Sequence, residues 1–465
     1  MQDDLNQASN QQILLRRVLS SYGPGFIVAA AFLLYAARSF QLISSYAVNI
    51  FFSDQWEFND ATLFQNHSLW QMFAWQHGPH RQGLGALFAK LVDPPFKWNS
   101  RFDSFLVGGI VVLAALCALW LKKRLYGRLS VTDVVIPAIL FTPGQWETLV
   151  LTPNFAHGPF PLLLIIFYCL AWTVENALVR YPLILFINFV TIYTGFGFFL
   201  GLLTPILLIL DYWTSSAEAR LMKTSLVASL IVSLVSFGSF FLGYRFNADL
   251  DCFSFQPQSP LSYVVYVALM CANFFAVKGT HAVPQIVGLT IVVAFLASAA
   301  IAARRLLSMK GMALDTAEQR RSLIVITLTI YAFLFCVSTA YGRLCGGLWS
   351  AQSSRYVIYL ELGVLGLYFQ LLNSRQGSKQ KLLLTGLLAA VITASFAFAT
   401  DRDEMTYFRY VKQEWKACYI QSEDITGCNR LVGFPIFSHA PERTRLQEKL
   451  QYLKHVRENL YLDSR

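Results

Sequence analysis

Charged side chains are scarce in this sequence. Asp, Glu, Lys and Arg make up 14% of the 465 residues, hydrophobic residues make up 55%, and the mean hydropathy is +0.47. Apolar runs recur at close to the ~20 residues that a helix needs to cross a bilayer. They lack the short alternating segments of a membrane β-barrel. The sequence therefore predicts an all-α polytopic membrane protein. No A-x-A cleavage site follows Arg16 and Arg17, so we expect the first run to be retained.

Several catalytic and metal-binding signatures are also missing. There is no GxxxxGK[ST] loop, no GxGxxG motif after a strand and no HExxH motif, so ATP-driven transport and zinc proteolysis lose their usual marks. The eight cysteines include no CxxC pair, which makes a structural zinc site improbable. Cys418 and Cys428 lie ten residues apart and can form a disulfide in an oxidising compartment.

The net charge of +10 would suggest nucleic-acid binding in a soluble protein. Here the basic residues occupy short loops between apolar runs, as the positive-inside rule expects, so we predict that these loops face the cytoplasm and that nucleic acid is not a partner. The loops are marked by Lys122, Lys123, Arg124 and Arg128, by Arg304, Arg305, Lys310, Arg320 and Arg321, and by Arg375, Lys379 and Lys381.

The hydropathy pattern predicts about eleven crossings and a cytoplasmic N-terminus. The predicted spans are 24–48, 102–121, 131–144, 157–174, 182–194, 197–213, 224–243, 284–303, 323–340, 356–372 and 382–400. Gly195, Gly197 and Gly201 are expected to break residues 183–213 into two short helices. Residues 261–276 are expected to be interfacial or re-entrant, because a crossing there would move the 304–321 loop outside.

This topology divides the chain into a transmembrane domain, 1–400, and a small extracytoplasmic segment, 401–465. The longest outer loop, 49–101, contains two stretches with the spacing of surface helices, 59–75 and 81–91. Asp54 and Glu57 open this loop, and ionisable groups at a membrane edge favour a functional site. Asp54 is interpreted as a general base or substrate contact, with helix capping as the alternative. Glu57 could share the site, bind a metal with Asp54, or be solvated.

His77, His80 and Arg81 follow in the same loop. The two imidazoles could ligate a metal, but Pro79 disrupts the helix that would align them, so hydrogen bonding is favoured. Arg81 is expected to bind substrate or pair with an acid, unless its side chain extends to lipid headgroups.

The remaining candidate residues lie in two later outer loops. Glu147 supplies another acid, and Arg343, Arg355 and Tyr356 surround a Gly-rich turn at the mouth of a span. A carboxylate can accept the proton of an attacking hydroxyl, and arginine can neutralise a phosphate leaving group. The pattern indicates transfer from a phosphate-bearing donor. The alternative for the arginines is ordinary anchoring at the interface.

These features resemble the GT-C superfamily of membrane glycosyltransferases, over nearly the whole chain. The resemblance is carried by residues 53–57 after the first span, the cluster 77–81, Trp146-Glu147, and the stretch from Gly342-Arg343 to Ser354-Arg355-Tyr356. It departs from the class in its spaced acids, Asp54-x-x-Glu57, and in lacking a large soluble outer domain.

The resemblance implies an inverting glycosyltransferase that takes a sugar from a polyprenyl-phosphate donor to a hydroxyl of a glycan or lipid. It implies catalytic roles for Asp54, Glu57 and Glu147 and substrate contacts for His77, His80, Arg81, Arg343, Arg355 and Tyr356. No cofactor is implied with certainty, and a divalent metal at Asp54 and Glu57 stays open. The expected location is a bacterial inner membrane, with the site on the periplasmic face. The rival readings are a secondary transporter or lipid flippase, and a non-catalytic assembly protein.

Overall fold

The computed structural model describes residues 2–60, 67–214, 220–245, 259–308, 316–374, 377–437 and 444–462. The first part of this chain forms one long helix, a loop with short elements, and a helical bundle. These elements are α1 (Gln2–Tyr46), α2 (Gln55–Phe58), α3 (Leu69–Phe73), β1 (Gln76–His77), β2 (His80–Arg81), α4 (Gly83–Val92), α5 (Ser100–Tyr126), α6 (Val135–Leu140), α7 (Pro159–Trp172), α8 (Ala177–Ile192) and α9 (Phe198–Thr214).

The second part completes the bundle and adds a helical C-terminal segment. Its helices are α10 (Arg220–Ser239), α11 (Pro260–Phe274), α12 (Ala282–Ser308), α13 (Thr316–Arg343), α14 (Val357–Leu372), α15 (Ser378–Phe396), α16 (Ala399–Ser422), α17 (Ile425–Val432) and α18 (Leu446–Val456). The only sheet among the described residues is the β1–β2 hairpin, which pairs His77 with His80.

Six helical segments in the described residues are long and apolar enough to cross a membrane, in agreement with the predicted all-α membrane protein. They are Gly23–Tyr46, Ser100–Tyr126, Ala282–Ser308, Ala317–Gly346, Ser354–Leu372 and Ser378–Ser422. Several other predicted spans are shorter apolar helices, so length and composition alone do not establish eleven crossings. The break near residue 195 is observed: Gly195 has φ +53° between α8 and α9, and a Cβ there would overlap the Ala156 carbonyl oxygen.

One end of the bundle is rich in basic residues, and we call it the basic end. Arg124 and Arg320 both donate to the Thr173 carbonyl oxygen after α7, at 3.1 and 3.2 Å, and Arg305 donates to that of Asn373 after α14, at 3.0 Å. Cations at helix C-termini stabilise the unpaired carbonyl groups there. The three predicted basic loops thus contribute to one end, although Lys310 and Arg375 lie outside the described residues.

The opposite end carries the loops that hold the candidate residues, and we call it the site end. α7 has 14 residues and α14 has 16, so at 1.5 Å per residue they rise only about 21 and 24 Å from the basic end. By contrast, α12 and α13 have 27 and 28 residues, or about 40 Å. Because the hydrocarbon core is ~30 Å thick, helices this short are expected to begin below the ends of the longer helices, and we call the space above the first residues of α7 and α14 the recess.

The C-terminal segment packs into the same hydrophobic core as the bundle rather than standing apart from it. Asn459 accepts from the backbone of Phe51 and donates to the Trp98 carbonyl oxygen, and its own carbonyl accepts from Asn49 at 2.7 Å. Lys449 pairs with Asp60 at 2.9 Å. The segment therefore fixes both ends of the first loop at the site end, residues 49–101.

The cysteines follow the expected division where they are described. Cys418 and Cys428 form a disulfide between α16 and α17. Cys117, Cys169, Cys271 and Cys336 are free and buried. Cys345 is also disulfide-bonded, and Cys252 lies outside the described residues.

Candidate functional site

Asp54 lies at the start of α2, at the N-cap position, but its side chain makes no capping hydrogen bond. The alternative reading of Asp54 as a helix cap is therefore wrong. Ser53, immediately before it, has φ +51°, a conformation that a non-glycine residue adopts only when its surroundings impose it. Its backbone N–H donates to the Ile436 carbonyl oxygen at 2.9 Å. This strained turn fixes the backbone of Asp54, whose carboxylate faces Arg355.

Buried hydrogen bonds from the Gln55 side chain fix the position of this turn. This side chain is buried and donates to Ser100 at the start of α5 and to the Pro153 carbonyl oxygen in the loop between α6 and α7, at 3.1 and 3.2 Å. Its oxygen accepts from the backbone of Phe52 at 3.1 Å. The position of Asp54 is thus tied to two other parts of the bundle by buried hydrogen bonds.

Arg355 faces Asp54 from the start of α14. Its Nη1 lies 3.8 Å from Asp54 Oδ2, too far for a hydrogen bond. The Nε edge is held: Nε donates to Glu147 Oε2 at 3.0 Å and to Ser353 Oγ at 3.1 Å. Among the described residues, neither Nη1 nor Nη2 has a hydrogen-bond partner. The guanidinium is therefore anchored by one edge and presents the other to the recess.

Glu147 holds the Nε edge of Arg355 in place. It begins a π-helical turn, Glu147–Leu151, and its side chain is only 14% exposed. Its carboxylate accepts from Ser353 at 2.8 Å as well as from Arg355. Ser354 accepts from the Glu147 backbone at 3.0 Å and donates to the Gly144 carbonyl oxygen at 2.7 Å. These bonds join the loop between α6 and α7 to the loop between α13 and α14. Glu147 thus orients Arg355, and the structure gives it no direct position as a base.

The far end of the same π-turn is held by Lys412 of α16. This lysine is 1% exposed, and its Nζ donates to the Leu151 carbonyl oxygen at 3.1 Å and lies 5.8 Å from the centre of the Phe52 ring. A π-turn leaves its last carbonyl groups unpaired, so this contact replaces missing helical hydrogen bonds. The C-terminal segment therefore supports the loops of both Asp54 and Glu147.

Asp54 and Arg355 are enclosed by protein yet accessible: 48% and 50% of their side-chain surfaces are exposed. Burial alone would raise the pKa of Asp54. Four neighbours outweigh burial and lower this pKa: Arg355, His77, His157 and Arg343. Asp54 is consequently an ionised carboxylate at neutral pH, open to a ligand in the recess.

Three imidazoles form the wall of the recess beside Asp54. The His157 ring centre lies 5.9 Å from that of His77 and 5.1 Å from that of His80. His77 Nδ1 lies 3.5 Å from Glu57 Oε2, so Glu57 faces an imidazole. Within the described ranges, no three His, Cys, Asp or Glu side chains converge as a metal site. His157 is absent from the site residues predicted from the sequence.

Arg81 occupies a different environment from the one expected. It is 3% exposed and donates to the carbonyl oxygens of Phe240 and Leu242, at 2.6 and 2.7 Å, and to that of Ala74. Its guanidinium also lies over the rings of Tyr193 and Phe240. The expected pairing with an acid is not found in the part of the chain that is described. Arg81 joins the hairpin loop to the end of α10, and we no longer assign it to substrate.

Arg343 and Tyr356 differ in accessibility. Arg343 ends α13 with an exposed side chain, and its charge contributes to lowering the pKa values of Asp54, His80 and His157. Tyr356 is 7% exposed and packs against Phe335 of α13, so its ring is part of the buried packing and is not open to a ligand.

One buried acid is absent from the residues predicted from the sequence. Glu361 lies in α14, is fully buried, and has no hydrogen-bond partner for either carboxylate oxygen in the described structure. An unpaired acid inside a membrane helix is a functional candidate in its own right.

Comparison with known proteins adds no assignment: no family model matches the chain, and no curated protein is significantly similar to it.

Glu147→Gln tests the anchoring role. The substitution keeps the side-chain shape but removes the charge that holds Arg355, and hydrogen bonds to charged groups are worth about 1.5–3 kcal/mol. We expect about a tenfold rise in KM for a lipid-phosphate donor, with kcat nearly unchanged. Steady-state kinetics in detergent would measure this, with Glu448→Gln at the exposed Arg445 pair as control. An inactive Glu147→Gln combined with an active Asp54 variant would make Glu147 the base.

Proposed function

We propose that the protein is an inverting glycosyltransferase of the GT-C type, which moves a sugar from a polyprenyl-phosphate donor to an acceptor hydroxyl of a glycan or lipid. One observation carries the proposal: an anchored guanidinium presents its free edge to the recess, 3.8 Å from an ionised carboxylate. An arginine fork suits phosphate oxygens, and a carboxylate suits a general base.

The geometry supports a single displacement. The acceptor hydroxyl oxygen forms the new bond to the anomeric carbon, its proton passes to Asp54, and the bond from that carbon to the phosphate oxygen breaks. The bonding electrons leave with the polyprenyl phosphate, whose charge Arg355 neutralises. His77, His80 and Arg343 complete the surroundings of the reacting groups, and no metal is needed for this balance of atoms and charges.

The pair must open for the substrates to enter. A base-to-oxygen distance of about 3 Å and an approach of about 3 Å to the anomeric carbon require more than the present 3.8 Å between Asp54 and Arg355. Opening is cheap, because a half-exposed ion pair contributes only about 0–1 kcal/mol. Because Nε donates to Glu147, the Nη groups can move away from Asp54 while that hydrogen bond is kept.

The recess also suits a lipid-linked donor. Its floor lies at the first turns of α7 and α14, below the ends of α12 and α13, so a phosphate there would sit near the headgroup level with its chain in the bilayer. With the basic end in the cytoplasm, the recess opens to the outer face, the periplasm of a bacterial inner membrane. The Cys418–Cys428 disulfide suits that oxidising compartment. Eleven crossings, with short helices counted, remain our proposed topology.

A transport function is the second candidate, and Glu361 is the observation that favours it. A buried unpaired acid in a membrane helix is the kind of group that couples ion movement to a substrate in secondary transporters.

The experiment that separates the two uses the purified protein in proteoliposomes with polyprenyl-phosphate sugars of several kinds. A glycosyltransferase releases polyprenyl phosphate and forms a new glycoside with an added glycan or lipid acceptor, and this release should depend on Asp54. Movement of the intact lipid-linked sugar between leaflets, dependent on Glu361 and without release of polyprenyl phosphate, would reject the transferase in favour of the transporter.

A further inference from the structure

The imidazole wall of the recess has no role in the displacement itself. It consists of His77, His80 and His157, brought together by the β1–β2 hairpin and by the loop before α7. His80 packs against Phe196, with ring centres 4.0 Å apart. His157 is held by its backbone N–H, which donates to the Asn154 side chain at 3.2 Å. The wall is thus a fixed surface made of rings.

Two of these rings are uncharged at neutral pH. Burial lowers the pKa of His157 to about 3; His77, Arg355 and Arg343 add to that effect, and Asp54 opposes it. Burial likewise lowers the pKa of His80 well below its ordinary value, with a further contribution from His157. A neutral imidazole has one N–H donor and one nitrogen acceptor.

His157 has an unused hydrogen-bonding atom. Its Nε2 is buried and has no partner among the described residues. Leaving such an atom unpaired is unfavourable, and a ligand group placed there would supply the missing hydrogen bond. The ring can donate or accept, so a hydroxyl, which does both, is the matching ligand group.

The neighbours of the wall restrict the ligand further. An anion would meet Glu57 and Asp54, and a cation would meet Arg343. The His157 ring lies at 72° to that of His77 and at 86° to that of His80. No cluster of side chains in the described residues converges as a metal site. Ring faces and edges that carry neutral hydrogen-bonding atoms suit the C–H groups and hydroxyls of an uncharged sugar.

We propose that the imidazole wall binds the hydroxyls of a neutral sugar, and that His157 is the positioning residue that hydrogen-bonds one of them. This inference rests on the proposed function and assigns the recess two halves, a guanidinium half for phosphate and an imidazole half for sugar. The sugar belongs either to the donor or to the acceptor.

The test compares wild type with His157→Phe, which keeps a ring and removes both nitrogens. In the donor arm, binding of undecaprenyl phosphate and of its glucosyl, mannosyl and arabinosyl esters is measured in nanodiscs. In the acceptor arm, transfer to methyl glycosides is measured over a range of concentrations. His157→Gln restores a polar group, and His455→Phe replaces an exposed histidine of α18 as the matched control.

We expect His157→Phe to bind undecaprenyl phosphate as wild type does. A donor-sugar site predicts about a tenfold loss of affinity for a glycosyl ester, and an acceptor-sugar site predicts about a tenfold rise in KM for the methyl glycoside, the equivalent of about one hydrogen bond. His157→Gln should recover part of either loss.

Wild-type behaviour of His157→Phe in both arms would overturn the sugar site while leaving the transferase proposal standing. Failure of the wild-type protein to bind undecaprenyl phosphate or any ester would instead reject the proposed function, and the two failures are therefore distinguishable.

Discussion

Asp54→Asn is expected to lower kcat for sugar transfer by about 10²–10⁴-fold, the usual contribution of a general base. Asparagine keeps the shape of the side chain, and Asp54 makes no capping bond whose loss would unfold α2. The protein should therefore insert and fold normally, and donor affinity should change little. Transfer kinetics at matched protein abundance, together with a thermal unfolding curve, would measure both expectations.

Glu57→Gln is the matched control, since Glu57 lies one turn further on and faces His77. We expect it to keep most of the activity or to change acceptor preference. Normal turnover of Asp54→Asn would remove Asp54 from the mechanism.

The lowered pKa of Asp54 also determines the pH profile. The base is ionised above its pKa, so the rate should stay on a plateau through neutral pH and fall only at a pH below the ordinary pKa of an aspartate. Among the charged neighbours, Arg355 contributes most to lowering the pKa of Asp54. Arg355→Gln should therefore raise this pKa, and the remaining activity of that variant should be lost at a higher pH than in wild type.

Arg355→Lys is expected to weaken use of a polyprenyl-phosphate donor by about 10²–10³-fold. Lysine keeps the charge but has neither the Nε–H that Glu147 and Ser353 hold nor a planar pair of donors for phosphate. Binding of undecaprenyl phosphate and kcat/KM for transfer would both report the change, while membrane insertion should be unaltered.

Arg343→Lys provides the comparison. This arginine is exposed at the end of α13 and acts on the recess through its charge, which lysine retains, so we expect less than a tenfold effect. Wild-type kinetics in both lysine variants would contradict the phosphate site and favour transport.

The sequence was sufficient to predict an all-α protein with membrane-spanning helices and to place several candidate residues near one another. Asp54, Glu57, His77, Glu147 and Arg355 lie in three loops that the hydropathy pattern placed on one face, and the structure brings them to one recess. Such a prediction succeeds because apolar run lengths determine on which side each loop emerges.

The environment of each side chain could not be predicted in the same way. Arg81 bonds carbonyl groups about 160 positions away at the end of α10, a partner with no local signal in the sequence. Glu147 was expected to act on substrate, but Ser353 and Arg355 use its carboxylate. His157 is positioned by Asn154 and by rings from other elements. These assignments depend on packing, which periodicity does not encode.

The C-terminal segment illustrates the same limit. The topology predicted a small extracytoplasmic segment, 401–465, without indicating its contacts, yet Asn459 and Lys449 hold the loop of Asp54 through contacts across about 400 residues. Polar residues in such a segment look like ordinary solvated surface until the fold gives them partners.

The short rise of α7 and α14 has a kinetic consequence. If the recess floor lies below the bilayer surface, a donor reaches it by lateral diffusion within the leaflet, and its relevant concentration is a mole fraction among lipids rather than a bulk molarity. Diluting the donor with inert phospholipid at constant total amount would then slow the reaction, whereas diluting the vesicles in buffer at fixed membrane composition would leave turnover per protein unchanged.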